Sequence, residues 1–201
     1  NMQPYIDNWD EKDTLSGAAE AAMRICDGLP YYMPFGFYER AVFIREDIFK
    51  EAGLEYPTTW RELIDRAAQL TDPASSKYGF SFRGVNGCYE NANLMIYAAV
   101  GYDKLADDNA GYFIDDNGTL PETRQALLDF KELFQKASPA DSIAWGFSEQ
   151  VQGFISGTAA ILLQDSDAVP TMTSDLSDDQ WDVIPLPTGD AGSVCLPNGY
   201  G

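Results

Sequence analysis

The 201-residue sequence contains no histidine and only three cysteines, Cys26, Cys88 and Cys195, which lie far apart. Histidine and closely spaced cysteine pairs are the usual ligands of zinc and related metals in proteins. We therefore expect no transition-metal site and no cofactor. The odd number of cysteines excludes a complete disulfide framework, whereas a single bridge stays compatible with the sequence.

Basic residues are also scarce, because 13 Lys and Arg stand against 32 Asp and Glu, for a formal net charge of -19 at pH 7. Such a charge repels phosphate backbones and anionic lipid headgroups, so nucleic acid and membrane surfaces are disfavoured as partners. Solubility is the ordinary explanation of this charge, and the charge alone does not indicate a cationic ligand.

Long apolar runs are missing too. No stretch of about 18 apolar residues occurs, which predicts no membrane span, and the first residues lack the features of a signal peptide. We expect the chain to come from a longer protein whose export signal has been removed. Its 45% hydrophobic and 13% aromatic residues are typical of a globular protein with enough aromatic side chains for a core and a recognition surface.

Patterns typical of helices and strands alternate along the sequence, which predicts a layered α/β architecture. Apolar runs predict buried strands at residues 41–44, 78–82 and 159–163. Apolar residues at helical spacing predict helices over residues 12–26, 47–52, 91–100 and 148–155. A further helix is expected to start at Pro121, with an apolar face formed by Leu127, Phe130, Phe134 and Ala137.

The segment IFKEAGLEYPTTWREL, residues 48–63, carries strong helix boundary signals. Gly53 predicts the end of one helix, because glycine readily adopts the left-handed conformation at that position. Thr59 and Glu62 have the spacing of a capping box, which predicts the start of the next helix. Trp60 is then the first helical residue, where we expect it to pack over the end of the neighbouring helix.

Residues 41–73, AVFIREDIFKEAGLEYPTTWRELIDRAAQLTDP, resemble the strand, helix, turn and capped helix of the extracellular solute-binding proteins of ABC sugar importers. The segments SKYGFSFRG, LLDFKELFQKA, AWGFSEQVQGFISGTAAILLQDSDAVP and WDVIPLPTG follow in the order found in that family. The resemblance implies a type II periplasmic-binding-protein fold, in which a mixed sheet flanked by helices forms each lobe and the ligand lies in a cleft between two lobes.

The resemblance also implies how this chain divides, as a partial two-lobed protein. Residues 1–44 would be the end of the first lobe and the first hinge crossing. Residues 45–180 would form the second lobe, and residues 181–201 would be the second hinge crossing, returning toward the first lobe.

Sugars present apolar C–H faces and many hydroxyls, so their sites need aromatic rings together with polar side chains such as Asp, Glu, Asn and Arg. These types coincide in the segments FGFYERA, GCYENAN, AWGF, QDSDA and PNGYG, all at cleft or hinge positions by resemblance. The candidate ligand-binding residues are Tyr38, Glu39, Arg40, Glu90, Asn91, Trp145, Phe147, Asp167, Asn198 and Tyr200.

Several of these candidates have an alternative structural role. The Tyr38–Arg40 stretch could brace the hinge through a Glu–Arg ion pair, and Trp145 could cover the core. Glu90, Asn91 and Asp167 are polar residues near predicted helix starts, where they could act as N-caps. Family members often have tryptophan at the position of Asp167, and many have GGWG where this chain has a turn ending in Tyr200.

The resemblance implies a non-catalytic, extracytoplasmic protein that binds a mono- or oligosaccharide and delivers it to an ABC permease. Such a protein would be a monomer, either periplasmic or lipid-anchored at the cell surface. One alternative keeps the fold and changes the ligand to a polyol, amino acid, peptide or polyamine; Glu39, Glu90 and Asp167 would supply carboxylates for a polyamine. The other is a glycoside hydrolase, but no sequence feature singles out a carboxylate pair at the required spacing.

Overall fold

The computed structural model describes residues 1–24, 26–101, 114–115, 118–194 and 198–200. Contacts between residues divide the chain into two compact units. The smaller unit comprises Asn1–Glu39 with Pro197–Gly201, and the larger unit comprises Arg40–Leu196. The assignment of residues 1–44, 45–180 and 181–201 to lobes and hinge crossings stays a prediction.

Helices and strands alternate through most of the described chain. The strands are β1 Gly36–Tyr38, β2 Arg40–Ile44, β3 Tyr78–Ser81, β4 Ile114–Asp115, β5 Gly118–Thr119, β6 Ala159–Asp165, β7 Asp182–Ile184 and β8 Asn198–Tyr200. The helices are α1 Gln3–Asp7, α2 Gly17–Met23, α3 Glu46–Ala52, α4 Trp60–Gln69, α5 Cys88–Val100, α6 Pro121–Ala137, α7 Phe147–Ile155 and α8 Val169–Asp175. Short 3-10 helices span Lys12–Thr14, Pro73–Ser75, Ala140–Ala144 and Ser166–Ala168.

The larger unit is built on a four-stranded mixed sheet with the order β3-β6-β2-β7. Strand β6 is parallel to β3 and antiparallel to β2, and β2 is antiparallel to β7. Every residue of β6 is buried, as expected for a central strand covered on both faces.

Side chains alternate along β2 between two hydrophobic cores, one on each face of the sheet. Val42 and Ile44 belong to the larger core, which includes residues of α3, α4, α5 and α6. Phe43 belongs to the second core, which includes residues of α7 and α8. Helices therefore cover both faces, which confirms the predicted α/β architecture with a mixed sheet flanked by helices.

The capping signals around α4 are confirmed. Gly53 ends α3 in the left-handed conformation, with φ 65°. The backbone N–H of Glu62 donates to the Thr59 hydroxyl over 3.1 Å, and the backbone N–H of Thr59 donates to the Glu62 carboxylate over 3.3 Å. Trp60 is the first residue of α4 and is only 6% exposed.

Two helix predictions need correction. The helix expected over residues 12–26 is interrupted, because Leu15 is extended and the Ser16 side chain caps a new helix by accepting a hydrogen bond from the Ala19 N–H. Helix α6 does begin at Pro121, but Leu127 is 46% exposed and Ala126 is buried in its place. The expected apolar face was therefore misplaced by one residue at that turn.

In the smaller unit, β1 pairs antiparallel with β8. Tyr38 is opposite Asn198 and Gly36 is opposite Tyr200 in this pairing. This unit also contains α1 and α2, whose ends are linked by a hydrogen bond from the Arg24 guanidinium to Gln3 Oε1 over 2.9 Å.

Candidate functional site

The polar candidates of the larger unit collect at one edge of its sheet. The carboxyl ends of the parallel strands β3 and β6 meet at this edge, and ligands of open α/β folds bind outside the carboxyl ends of strands. Because β2 runs antiparallel to β6, its first residue, Arg40, lies directly opposite Asp165, the last residue of β6.

Arg40 connects the elements at this edge. Its guanidinium donates hydrogen bonds to Asn91 Oδ1, to Glu90 Oε2 and, over 3.2 Å, to Asp165 Oδ2. The side chain of Arg40 is 3% exposed, and that of Asp165 is 10% exposed. The three partners therefore fix the guanidinium in a largely buried position, where a charge needs such pairing.

Helix α5 begins three residues earlier than expected, at Cys88. Its N-cap is Gly87, and no side chain caps the helix, so Glu90 and Asn91 lie in the first turn and are not N-caps. That position is what allows both side chains to accept hydrogen bonds from Arg40. Asp167 is likewise not a side-chain cap, because neither the 3-10 helix after β6 nor α8 has a side-chain cap hydrogen bond.

A buried network of amides supports the strand ends behind Arg40. Gln150 Nε2 donates to the carbonyl oxygen of Ser81 over 2.8 Å, and Gln164 Nε2 donates to Gln150 Oε1 over 2.7 Å. The backbone N–H of Asp165 donates to Gln164 Oε1 over 2.8 Å. Since Gln150 and Gln164 are fully buried, this network fixes the end of β6 against the end of β3.

Two carboxyl groups follow β6, and both have a raised pKa. Burial is the main cause for Asp165, opposed chiefly by the positive charge of Arg40. Partial burial is also the main cause for Asp167, reinforced by the charge of Asp165 and opposed by Arg83 and Arg40. Although its carboxyl group is partly desolvated, Asp167 as a whole is exposed, so it is an accessible acceptor of hydrogen bonds beside the buried cluster.

Sequence reasoning missed Asp165, Arg83 and Tyr89. Asp165 falls in the quoted segment QDSDA, but only the pairing of β6 with β2 shows that it faces Arg40. Tyr89 falls in GCYENAN and is 59% exposed at the start of α5, where Glu90 raises its pKa. Arg83 follows β3, and its guanidinium carbon lies 5.9 Å from the centre of the Phe147 ring.

The two aromatic candidates near α7 pack against the protein. Phe147 is the first residue of α7 and contributes to the second core as well as lying under Arg83. Trp145 is half-buried, and a Cβ atom added to Gly153 would lie 2.7 Å from its ring. The carbonyl oxygen of Trp145 accepts the N–H groups of Gly84 and Val85, so this loop is tied to the loop after β3.

Four candidates belong to the smaller unit. Tyr38 is half-buried in β1 and Glu39 is exposed. Asn198 and Tyr200 are described only through the backbone pairing of β8 with β1. Their proposed contacts with a ligand stay predictions.

A cavity of about 660 Å³ opens between the starts of α4 and α6. Its lining includes Trp60, Met95, Pro121 and Asp190, and none of the candidate residues lines it.

In the described ranges, no group of three or more His, Cys, Asp or Glu side chains is placed to hold a metal ion. Cys26 and Cys88 are free thiols, and Cys195 lies outside the described residues.

No helix in the part of the chain that the structure describes has the length and apolar character needed to cross a lipid bilayer.

Comparison with known proteins gives a consistent result. The family model described as bacterial extracellular solute-binding protein matches residues 1–201. The mannitol-binding protein of Pseudomonas aeruginosa is 30% identical over 136 residues, which cover 67% of this chain and 30% of that protein. The putative ABC transporter periplasmic-binding protein YcjN of Escherichia coli is 24% identical over 140 residues, which cover 70% of this chain and 31% of that protein.

Among solved structures, an ABC transporter solute-binding protein from Agrobacterium radiobacter in complex with ribitol has a similar fold. Its TM-score is 0.71 at 24% identity, over 95% of this chain and 48% of that one. This similarity confirms the type II periplasmic-binding-protein fold expected from the sequence. The matched part of the chain spans less than a third of these two curated relatives and about half of the solved structure.

Proposed function

This chain belongs to the family of bacterial extracellular solute-binding proteins, and on that premise we propose that it forms part of the solute-binding component of an ABC importer. Its ligand is a sugar, as the sequence predicts, or a sugar alcohol, an alternative that the sequence left open, and it binds at the edge of the sheet where β3 and β6 end. The protein acts outside the cytoplasm, in the periplasm or anchored by lipid at the cell surface. It works as a monomer, without catalysis, and passes its ligand to the permease.

The observation that carries this proposal is the combination of groups at that edge. Asp167 is an exposed carboxylate beside the buried Arg40–Asp165 pair, and Tyr89 is a largely exposed aromatic side chain at the start of α5. Hydroxyl groups need acceptors and donors with fixed directions, whereas the C–H face of a sugar ring packs on aromatic rings. The carboxylate of Asp167 would serve the first requirement and the ring of Tyr89 the second, and both residues are exposed.

The relatives narrow the ligand class. One bears the name mannitol-binding protein, and one solved neighbour contains ribitol. Both compounds are acyclic, neutral polyols, so sugar alcohols stand beside monosaccharides as the ligands to test first. A site of this kind uses hydrogen bonds from charged groups, which are worth more than those between neutral groups.

Thermal unfolding of the full-length protein tests the proposal directly. A panel should contain sugar alcohols, monosaccharides, oligosaccharides, amino acids and polyamines. A ligand present at 100 times its dissociation constant adds about 2.7 kcal/mol to the free energy of unfolding, which raises the melting temperature measurably. We expect a sugar or a sugar alcohol to give the largest rise.

Site variants show whether the binding occurs at the proposed edge. The substitution Tyr89→Ala should weaken binding of the identified ligand. Tyr5→Ala is the matched control, since Tyr5 is 75% exposed in the smaller unit and is not a candidate. Stabilisation by amino acids or polyamines alone would overturn the carbohydrate assignment, and release of reducing sugar from an oligosaccharide would overturn the non-catalytic role.

A further inference from the structure

We propose that Arg83 is a ligand-binding residue, whose guanidinium donates hydrogen bonds to two hydroxyl oxygens of a neutral polyhydroxylated solute. The inference rests on the proposed function, because it names a contact within the same site. It goes further by assigning the donor of the site to a residue that neither the sequence patterns nor the buried cluster around Arg40 identifies.

The first observation is that Arg83 lacks the partners that other arginines of this unit have. Arg40, Arg45 and Arg61 each form an ion pair with a carboxylate. In the described residues, the Arg83 side chain has neither an ion pair nor a hydrogen bond, and its Nε atom is buried without a partner. An unpartnered buried donor carries a desolvation cost, which a ligand oxygen would remove.

The second observation is that this guanidinium packs closely against two neighbours. Its carbon lies 5.9 Å from the centre of the Phe147 ring. It also lies against Gly87, where an added Cβ atom would come within 2.7 Å of Arg83 Cζ and within 2.9 Å of both terminal nitrogens. A planar cation packed against a ring and a glycine loses little conformational freedom when a ligand binds.

The neighbouring charges indicate the ligand class. Asp165 and Asp167 both experience the positive charge of Arg83 without forming an ion pair with it. The two arginines at this edge disfavour a cationic ligand, and the carboxylates of Glu90, Asp165 and Asp167 disfavour an anionic one. A neutral ligand with adjacent hydroxyls can accept from Arg83 and donate to Asp167 together.

The experiment measures ligand affinity by calorimetry in the full-length protein. The ligands are a hexitol, a pentitol and, for each of them, the aldonate with the same number of carbons. Arg83→Gln and Arg83→Lys should each weaken binding of the polyol by about tenfold or more. Neither side chain has the charged fork of two parallel donors, since glutamine is neutral and lysine carries a single ammonium group. Deoxy analogues, each lacking one hydroxyl of the polyol, should bind the unmodified protein less tightly than the polyol itself. For the hydroxyls that Arg83 contacts, this difference in affinity between polyol and deoxy analogue should disappear in the Arg83→Gln variant.

Gly87→Ala provides a test that keeps Arg83 itself. A Cβ atom there displaces the guanidinium, so binding should weaken although every charged group remains. Gly53→Ala is the matched control, since Gly53 also has a positive φ but an added Cβ would meet nothing within 4 Å. We expect both variants to be less stable and only Gly87→Ala to lose affinity.

The outcomes separate the inference from the proposed function. If the unmodified protein binds a polyol or sugar and the Arg83 variants bind it equally well while unfolding at lower temperature, Arg83 is structural and the inference fails alone. Preference for the aldonate over the polyol would overturn the neutral ligand class. If no sugar or polyol binds the unmodified protein, the proposed function itself is wrong.

Discussion

Arg40 is the residue on which the buried half of the candidate site depends. Replacing it by methionine removes the cation shared by Glu90 and Asp165, so the free energy of unfolding should fall by about 3–5 kcal/mol. Arg61→Met is the matched control, because Arg61 pairs with three carboxylates, one more than Arg40, but its side chain is 47% exposed. Exposed pairs contribute about 1 kcal/mol or less. Urea unfolding measures both, and equal losses would contradict the importance of burial.

Asp167 gives the site a pH dependence whose sign follows from its raised pKa. The ionised carboxylate accepts hydrogen bonds from ligand hydroxyls, whereas the protonated form loses part of that capacity. Affinity should therefore be constant near neutral pH and fall on acidification, starting at a higher pH than for a fully solvated carboxyl. Calorimetry across the acidic range measures this effect. An Asp167→Asn variant with an unchanged pH profile would show that another group is responsible.

At the scale of single residues, part of the candidate site was predictable from the sequence. Glu90, Asn91 and Arg40 were selected because polar and aromatic types coincide locally, and the structure does bring these three together. Asp165 and Arg83 were missed, because their significance lies in a strand register and in packing against Gly87. Neither feature leaves a local signal in the sequence.

At the scale of elements, the contact between β3 and α4 depends on one glycine. A Cβ atom at Gly79 would lie 1.8 Å from the carbonyl oxygen of Ala67, so the strand and the helix would have to separate. Gly79→Ala should therefore lower the free energy of unfolding by about 3 kcal/mol or more. Gly36→Ala, in another strand, is the control because an added Cβ there meets nothing within 4 Å. Chemical denaturation compares the two, and similar values would refute the close approach.

Element boundaries were predictable where a side chain or glycine fixes them locally. The capping box at Thr59, the stop at Gly53 and the start at Pro121 are all of this kind. Helix α5 was expected too late because its N-cap is Gly87, which provides no capping side chain. The break between Lys12–Thr14 and α2 was missed because the apolar spacing continues across it.

For the whole molecule, the strand order β3-β6-β2-β7 joins residues more than 100 positions apart in the sequence, as Arg40 and Asp165 show. Local patterns predict that a sheet exists, but they do not give the order of its strands. The family resemblance, which rests on the succession of segments over nearly the whole chain, predicted a mixed sheet flanked by helices but gave no strand order. The physical reason is that apolar runs specify burial, whereas register depends on long-range partners.

The net charge of -19 allows specific binding to be separated from general attraction of cations. A polyamine should associate weakly at low ionic strength, and this association should weaken steeply as salt screens the molecular field, since the Debye length is about 10 Å at 0.1 M. A neutral sugar or sugar alcohol gains nothing from that field. Its dissociation constant, measured by calorimetry, should therefore change less than about twofold between roughly 0.05 and 0.5 M sodium chloride. A contrary result would be tight polyamine binding that persists at high salt, together with no measurable binding of neutral solutes. It would mean that the carboxylates at the edge where β3 and β6 end bind a cationic ligand instead.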